Sequence, residues 1–576
     1  GIRLIGKTVP VVCVSYDPAA WALSSVPVET AQTAYRYLTY GGAENLGNLF
    51  RFLDALPNAA AVPEPVPVPW EGLWHPDAPV RAFATVRGYL EWYACERGLS
   101  LDPERTVGLL FGRHYWVNDM PDVEAALVHA LEAKGLGVFP AFTNTLRDKA
   151  TGNKGATIWS REVFLGESGS RIGALVKFLP YFTNNGGNMP AFVGDDSPAR
   201  ESVRVFRELG VPIFQPVFAS SKTLEEWEAD PQGLNSEVSW AVAMPEFEGA
   251  IEPFFLGGGT LSQASVGGTE IERRTPHPER VERFASRIAR WLRLRNKPVA
   301  ERRVAFLLNS DPCASVEASV GGAAKLDSLE SVSRILRAMR QAGYAVDVPE
   351  SGAALIETIM ERKAISEFRW TTVQEIEAKG GVLAHVDLAT YRRWFDAYPE
   401  NVRQKVAEAW GNPPGEPMNG VPAAMVLNGD ILVTGVRWGN AVVCIQPKRG
   451  CAGSRCDGQV CKILHDPSVP PPHQYIATYR WLQDGFGADV VVHVGTHGNL
   501  EFLPGKSVGL SGACFPDLAL HEVPHVYIYN SDNPPEGVIA KRRSYAELVD
   551  HMQTVMVQSG LYDALEELDR LLGEWE

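Results

Sequence analysis

The sequence predicts an α/β protein of several domains, with mostly parallel sheets flanked by helices. Three observations carry that expectation. Short buried-strand patterns such as TVGLLFG alternate with helical stretches, and strand–helix alternation needs crossovers that favour parallel pairing. The chain has 576 residues, room for three or four domains at about 150 residues each. Hydrophobic residues make up 45% and charged residues 21%, an ordinary globular balance and too apolar for a disordered chain.

Taken in order, Val9 to Asp17 alternates apolar residues and reads as a strand. A helical stretch from about Val28 to Leu56 follows, broken at Gly41 and Gly42. Residues Pro57 to Pro79 hold seven prolines, which cannot continue a helix and so form an extended connection. Thr106–Gly112 is then a strand, a helix opens at Pro121 and closes at Gly135, and Gly137–Phe142 is the next, parallel strand. A second such unit runs from Leu175–Phe182 through the helix after Ser197-Pro198 to Val211–Phe218. A third starts at Arg303–Asn309. Its helix opens with a capping-box pattern, Asp327-Ser328-Leu329-Glu330, and closes near Gly343 before a strand at Tyr344–Val348. Strands at Ala424–Val436 and Asn440–Gln446, a helix near Gln474–Gln483 and a strand at Asp489–Gly495 complete the pattern. The units share no sequence repeat. They divide the chain into residues 1–80, 81–300, 301–420 and 421–576, read as separate domains.

Several functions are excluded early. With 54 Lys+Arg against 69 Asp+Glu, the net charge is −15, and no basic stripe offers a nucleic-acid surface. No apolar run reaches the ~20 residues of a membrane span, and no signal peptide opens the chain. Eight Cys are too few for a disulfide scaffold and suit a reducing cytoplasm. Gly1 to Thr8 matches the phosphate-loop pattern letter for letter, but the residues after it read as a strand where that loop needs a helix. Any ATP use therefore belongs to a partner.

The strongest chemical signal is VVVHVGTHGNLEFLPGKSVGLS, from Val490 to Ser511. His493, His497 and Glu501 follow at four-residue steps from the end of a buried strand. Two imidazoles and a carboxylate beside a glycine-rich turn can converge on a divalent ion such as Co, Zn or Fe. Glu501 can alternatively accept a proton beside the metal. Upstream, Cys451, Cys456 and Cys461 recur at five-residue spacing, with His465 and His473 beyond. They could hold an iron–sulfur cluster or a second metal, with His465, Cys444, Cys514 or a group from outside the chain as fourth ligand. Arg437, Trp438, Asn440, Lys448, Arg449, Lys506 and Lys541–Arg543 supply cations and an aromatic face in an otherwise acidic chain. They suit a large, planar, anionic ligand.

These same stretches resemble a known family. GVRWGNAVVCIQPKRG, HDPSVPPPHQYIATYRWL, ADVVVHVGTHGNLEFLPGKSVGLS and NPPEGVIAKRRSYAELVDH are similar to segments of the class I tetrapyrrole metal chelatase large subunits, which include CobN and the large ("H") component of magnesium chelatase. ETAQTAYRYLTYGGAENLGNLFRFL, VSWAVAMPEFEG and KLDSLESVSRILRAMRQAGY extend the resemblance over nearly the whole chain. The resemblance implies insertion of a divalent ion into a tetrapyrrole, driven by ATP hydrolysis in separate AAA+ subunits. It places His493, His497 and Glu501 in the metal- and proton-handling motif. Arg437, Trp438, Asn440, Lys506 and His473 then serve the tetrapyrrole. Cobaltochelatase, inserting Co2+ into hydrogenobyrinic acid a,c-diamide, is the favoured reading, because a His-rich site suits cobalt better than Mg2+. The alternatives are a magnesium chelatase acting on protoporphyrin IX, a non-catalytic metal- or tetrapyrrole-binding module, and a metal-dependent hydrolase. Family members are longer and this chain begins at Gly1, so it is expected to be the front portion of a larger polypeptide.

Overall fold

Helices α1 (Val28–Tyr40) and α2 (Gly42–Ala55) break where the two glycines predict. Gly41 and Gly42 have φ of 69° and 84°, a region open to glycine and costly for other residues. The computed structural model describes residues 9–57, 61–99, 101–149, 151–183, 198–263, 270–310, 319–323, 326–365, 371–417, 423–449, 468–496, 498–529, 534–550 and 564–575. The segment expected as a strand at Val9–Asp17 joins no sheet. Its Val11 and Cys13 amides donate to the Ser25 and Ser24 hydroxyls at 2.8 and 2.9 Å, and a 3-10 turn begins at Pro18.

The first sheet contains β1 (Gly72–Leu73), β2 (Thr106–Gly112), β3 (Gly137–Thr143), β4 (Ala174–Lys177), β5 (Ile213–Thr223), β6 (Ile251–Gln263) and β7 (Glu270–Pro276). Their spatial order is β1-β3-β2-β4-β5-β6-β7. The run from β3 to β6 is parallel, and the edge strands β1 and β7 are antiparallel to their neighbours. Every residue of β2 and β3 is buried, as a central parallel strand covered on both faces requires. Helix α3 (Asp122–Ala133) makes the crossover between them, burying Val123, Leu127, Val128 and Leu131. Helix α4 (Pro198–Leu209) connects β4 to β5.

Helix α5 (Pro278–Asn296) leads from the first sheet to the second. Beyond it come β8 (Val304–Leu308), α6 (Ser328–Gln341), and a small antiparallel sheet of β9 (Val382–Val386), β10 (Val426–Leu427) and β11 (Asp430–Thr434). The second sheet then continues with β12 (Val436–Trp438), β13 (Ala441–Ile445), β14 (Val490–Val494), β15 (His525–Tyr529) and β16 (Glu547–Asp550). Helices α7 (His473–Arg480), α8 (Phe515–Leu520) and α9 (Pro534–Arg543) make its later crossovers. The order is β12-β13-β8-β14-β15-β16, parallel except at the β12 edge.

Both sheets thus carry the same arrangement of five parallel strands, second-first-third-fourth-fifth in chain order, without any shared sequence. The second sheet also crosses the residue-420 boundary, because Val304 of β8 sits opposite Ala441 of β13 on one side and Val490 of β14 on the other. Two further expectations change. Tyr344–Val348 is not a strand; it runs beside the β12–β13 turn, its Ala345 carbonyl accepting from Asn440 N and its Asp347 amide donating to Trp438 O. Asp327 caps α6 through the Glu330 amide at 3.0 Å, but the Glu330 carboxylate accepts from Gly352 N at 2.8 Å instead of closing the box.

One helix joins the two sheets. Val281, Phe284, Ala285, Ile288 and Leu292 of α5 sit at helical spacing in the core of the first sheet. A second stripe of the same helix is charged and equally buried. Arg280 makes a two-point contact with Asp517 of α8 at 2.9 and 3.1 Å. Arg287 does the same with Glu252 of β6 at 2.7 and 2.8 Å and donates to His521 O at 2.8 Å. Burial alone would raise the Asp517 carboxyl, but Arg280 and Arg283 hold it below the ordinary value. A buried pair contributes little net stability while intact, yet removing one member strands the other charge. Arg287→Met is therefore expected to destabilise the chain by about 3–5 kcal/mol, read from urea unfolding. A change below about 1 kcal/mol, the scale of an exposed pair, would show that the pair is not held in a dry interface.

Candidate functional site

In the second sheet the chain leaves β8 towards β13 on one side and returns through β14 on the other. Reversal of strand order opens a crevice at the carboxyl ends of the parallel strands, where α/β proteins bind ligands. The residues there are Asn309 after β8, Gln446 after β13, His493 and Gly495 at the end of β14, and Tyr527 of β15. A Cβ on Gly495 would lie 2.6 Å from Gly322 O and 2.8 Å from Asn309 Cβ, so the turn out of β14 requires glycine.

Hydrogen bonds fix the protonation of the buried imidazoles, each nitrogen being assigned by its neighbour. His525 Nδ1 donates to Ser544 O at 2.8 Å, which makes its Nε2 an acceptor. His493 Nδ1 then donates to that nitrogen at 2.5 Å, and His493 Nε2 accepts from the Tyr479 hydroxyl at 2.8 Å. Gln446 orients the chain's far end. Its Oε1 accepts from Asn499 N at 2.9 Å, turning Nε2 to donate to Tyr479 at 2.9 Å. Burial, reinforced by the neighbouring His525, holds His493 well below its usual pKa, and burial brings His525 down to about 4. Both rings are neutral near pH 7.

Glu501 lies in the short turn Leu500–Phe502, only 1% exposed. Its carboxylate acts on the phenols of Tyr475, Tyr479, Tyr527 and Tyr529, all raised first by burial and then further by that charge. Gly498 makes room for this grouping, since a Cβ there would lie 2.6 Å from the Tyr527 hydroxyl and 3.2–3.3 Å from the Glu501 oxygens. Tyr527 accepts from Asn309 Nδ2 at 2.7 Å and from Gly498 N at 3.2 Å. Arg543 stands nearby, donating to Leu503 O at 2.6 Å and Gly505 O at 3.2 Å. A carboxylate sequestered among phenols and neutral imidazoles is suited to accept a proton from a bound ligand.

The expected site residues separate. His493 and Glu501 share this carboxyl edge, but both His493 nitrogens are already hydrogen-bonded. Through its Nε2, His493 holds the Tyr479 hydroxyl in place. His497 lies outside the described residues, as do Cys451, Cys456, Cys461 and His465. Arg437, Trp438 and Asn440 sit at the opposite, amino-terminal end of the sheet. There Trp438 pairs with Ala441, Arg437 donates to Gly439 O at 3.0 Å, and Asn440 donates to Ala300 O at 2.9 Å. Lys506 gives its ammonium to the carbonyls of Trp227, Glu228 and Asp230 at 2.7–2.9 Å, closing a helix end. His473 is held between the Tyr391 hydroxyl (2.7 Å) and Gly411 O (2.9 Å), and burial lowers it to about 4. Lys541 and Arg542 pair with Glu246. Of the suggested fourth cysteine ligands, Cys444 is a buried thiol pushed up to about 12, and Cys514 Sγ accepts from Lys506 N and Ser511 N.

Sequence reasoning missed Asn309, Gln446, Tyr475, Tyr479, His525 and Tyr527. Tyr475 and Tyr479, four apart on α7, carried a usable helical signal; the others become neighbours only through strand order. Among the described residues, His75, Asp77 and Glu132 also cluster with metal-ligand atoms in reach. The Arg97 guanidinium already pairs with both carboxylates, at 2.5 and 3.0 Å, and supplies the positive charge there.

Comparison with known proteins gives a consistent picture. The CobN/Magnesium Chelatase family matches residues 35–576. An uncharacterised protein of Methanocaldococcus jannaschii is 42% identical over 98% of this chain and 44% of its own length. The aerobic cobaltochelatase subunit CobN of a Sinorhizobium species is 30% identical over 97% of this chain and 41% of its own. The corresponding magnesium-chelatase polypeptide of Cereibacter sphaeroides, its "H" component, is 30% identical over 96% of this chain and 43% of its own. Among solved structures, the catalytic subunit of cobaltochelatase from Mycobacterium tuberculosis superposes with a TM-score of 0.69 at 30% identity, covering all of this chain and 44% of that one. The chain spans about two fifths of the length of the curated relatives it matches.

The buried histidines set a pH response. His473 and His525 titrate near 4 when folded, against 6.5 ordinarily. Between those values the unfolded chain binds protons that the folded chain refuses, so stability rises with pH and is lost as pH falls through the window. Each group contributes up to about 1.4 kcal/mol per pH unit. Urea midpoints should drop progressively from pH 6.5 towards 4, and His525→Asn should flatten the slope. An unchanged slope in that variant would mean His525 is not kept neutral by the fold.

Proposed function

The chain belongs to the CobN/magnesium chelatase family, and from that premise we propose that it forms part of the tetrapyrrole-binding large subunit of an ATP-dependent metal chelatase. Its reaction places a divalent ion in a tetrapyrrole, with ATP hydrolysed by separate AAA+ subunits. The observation that carries this reading is the buried Glu501 carboxylate at the strand-order reversal, surrounded by Tyr475, Tyr479 and Tyr527 and backed by the neutral His493–His525 pair.

Metal insertion requires the ion to shed water and the ring to lose two pyrrole protons. A carboxylate in a dry, low-dielectric setting can receive a proton directly, without competition from solvent. Burial keeps both imidazoles neutral, so that neither ring adds a positive charge against an arriving cation. Glu501 is assigned the proton-accepting role. His493 is assigned to positioning.

For the metal, the favoured reading is Co2+ entering a corrinoid precursor such as hydrogenobyrinic acid a,c-diamide, supported by the solved cobaltochelatase relative. The donor-softness argument for cobalt loses force with His493 engaged. Mg2+ entering protoporphyrin IX is the second reading, favoured by a magnesium-chelatase relative at the same 30% identity.

Absorbance titration of the full-length polypeptide with each tetrapyrrole, with and without AAA+ partners, ATP and either metal, distinguishes these readings. ATP-dependent spectral change with one pair identifies the reaction, whereas binding without insertion supports a non-catalytic module. Glu501→Gln is expected to lower chelation by about 10²–10⁴-fold, the range of a lost general base, while leaving tetrapyrrole binding essentially intact. Retained turnover in that variant would remove Glu501 from the mechanism.

A further inference from the structure

A broad, open groove of about 850 Å³ runs along the exposed side of α5. Arg105 immediately precedes β2, Leu136 immediately precedes β3, and Gly487 lies shortly before β14. The groove therefore sits at the amino ends of the strands, whereas Glu501 lies at the carboxyl edge. Arg290, Arg293 and Lys297 enter it from one face of α5 and its C-cap, at positions i, i+3 and i+7. Arg105 and Lys134 add two more cations from the connections of the first sheet.

These charges are reachable from solvent. Arg105 is exposed, the Arg293 side chain is 49% exposed, and those of Lys134, Arg290 and Lys297 are 21–23% exposed. The buried carboxylate of Asp489 engages Arg293 Nη2 at 3.0 Å and Lys297 Nζ at 2.7 Å, which leaves their other N–H groups directed outward. Among the described residues the Arg290 guanidinium has only Glu522, at 3.8 Å, beyond hydrogen-bond reach. Burial and then the like charge of Arg293 hold Arg290 below its ordinary value, as two cations brought close without an anion between them require. The one carboxylate in the lining, Asp484, is matched by Arg480 at 2.6 Å. Counting Arg480, six cations meet four carboxylates, Asp484, Asp489, Glu282 and Glu522, so positive charge is left over.

The spacing of the charges selects the shape of the ligand. At about 1.5 Å rise per residue, Arg290 and Lys297 stand about 10 Å apart along α5. Asp489 sits between Arg293 and Lys297, so a compact polyphosphate placed there would meet its negative charge. Single carboxylates spread along an extended chain, about 7 Å apart on one side, can instead meet the outward N–H groups one at a time. Such contacts are charge-assisted hydrogen bonds, the stronger kind. We propose that this groove docks an extended, glutamate-rich segment of a partner protein, its carboxylates meeting Arg290, Arg293, Lys297 and Arg105. Docking there leaves the carboxyl edge with Glu501 open, and the assignment does not depend on the chelatase reading.

Fluorescence anisotropy of fluorescein-labelled octaglutamate with the chain, at about 0.1 M ionic strength, tests the assignment. The Debye length is then about 10 Å, so the peptide senses the groove and not the total charge of −15. The labelled peptide should bind, and unlabelled octaglutamate should displace it at lower concentration than inorganic triphosphate or an oligothymidylate of equal length. Arg290→Gln combined with Arg293→Gln should weaken binding by about tenfold, corresponding to about 1.4 kcal/mol. Arg105→Gln alone should weaken it by about threefold, within the range of one exposed ion pair, and keeps the test decisive if the double variant does not fold. Arg334→Gln removes an exposed cation of α6 outside the groove and should leave the affinity unchanged. Absence of peptide binding, displacement by triphosphate or oligothymidylate at lower concentration than by octaglutamate, or groove variants that bind as well as Arg334→Gln would each overturn the proposal.

Discussion

The arrangement of the molecule depends on the two-sided burial of α5. One stripe of this helix is apolar and fills the core of the first sheet, whereas Arg280, Arg287, Arg293 and Lys297 reach the second. Arg280 meets Asp517, while Arg293 and Lys297 divide the carboxylate of Asp489 at 3.0 and 2.7 Å. Asp489 immediately precedes β14, and Asn296 of the same helix donates to Glu104 O shortly before β2. The far end of α5 is thereby tied to the amino ends of both sheets. Desolvating these charges leaves little net stability. Their geometric demand remains, because a two-point guanidinium–carboxylate contact tolerates little rotation or sliding. The clamp therefore specifies relative placement more than it adds free energy.

That placement brings the loops after β5 and β14 into contact. The chain following Glu501 runs to Val508, which bridges to Gly233, while Lys506 and Gly509 O reach the helix Leu224–Ala229 and its Trp227. The turn holding Glu501 is consequently anchored to both sheets. Strand order supplies the crevice, glycines at 495 and 498 supply the space, and the hydrogen-bond chain from Ser544 to Tyr479 supplies one fixed proton arrangement. Each imidazole would be an expensive buried group alone. Linked head to tail and ended by a carbonyl, the two rings are satisfied without carrying charge.

Much of the fold was legible because parallel strands buried on both faces spell continuous apolar runs. TVGLLFG and GVFPAF mark β2 and β3, and Gly135 marks the end of their crossover. Tyr344–Val348 has the same apolar look but lies beside the β12–β13 turn without entering the sheet, a distinction set by neighbours distant in sequence. The site was legible in part for a similar reason. Glu501 stood out as an acid in a glycine-rich turn after a buried strand. His525 and Asn309 could not be identified, because His525 joins His493, and Asn309 joins Tyr527, only once β8, β14 and β15 lie side by side.

The basic residues teach a sharper lesson about reading charge. In a chain of net charge −15, each conspicuous cation looks available to an anionic ligand. Lys506 has three ammonium protons and three backbone carbonyls at 2.7–2.9 Å, so its donor capacity is fully used within the fold. Arg437 is turned onto Gly439, and Lys541 and Arg542 onto Glu246. Arg283 and Arg480 attract no notice in the sequence, yet like Arg542 and Arg543 they retain buried N–H groups without acceptors among the described residues. A charge's capacity to bind a ligand is set by the hydrogen bonds it has left after folding. That remainder emerges from packing and is invisible in residue type.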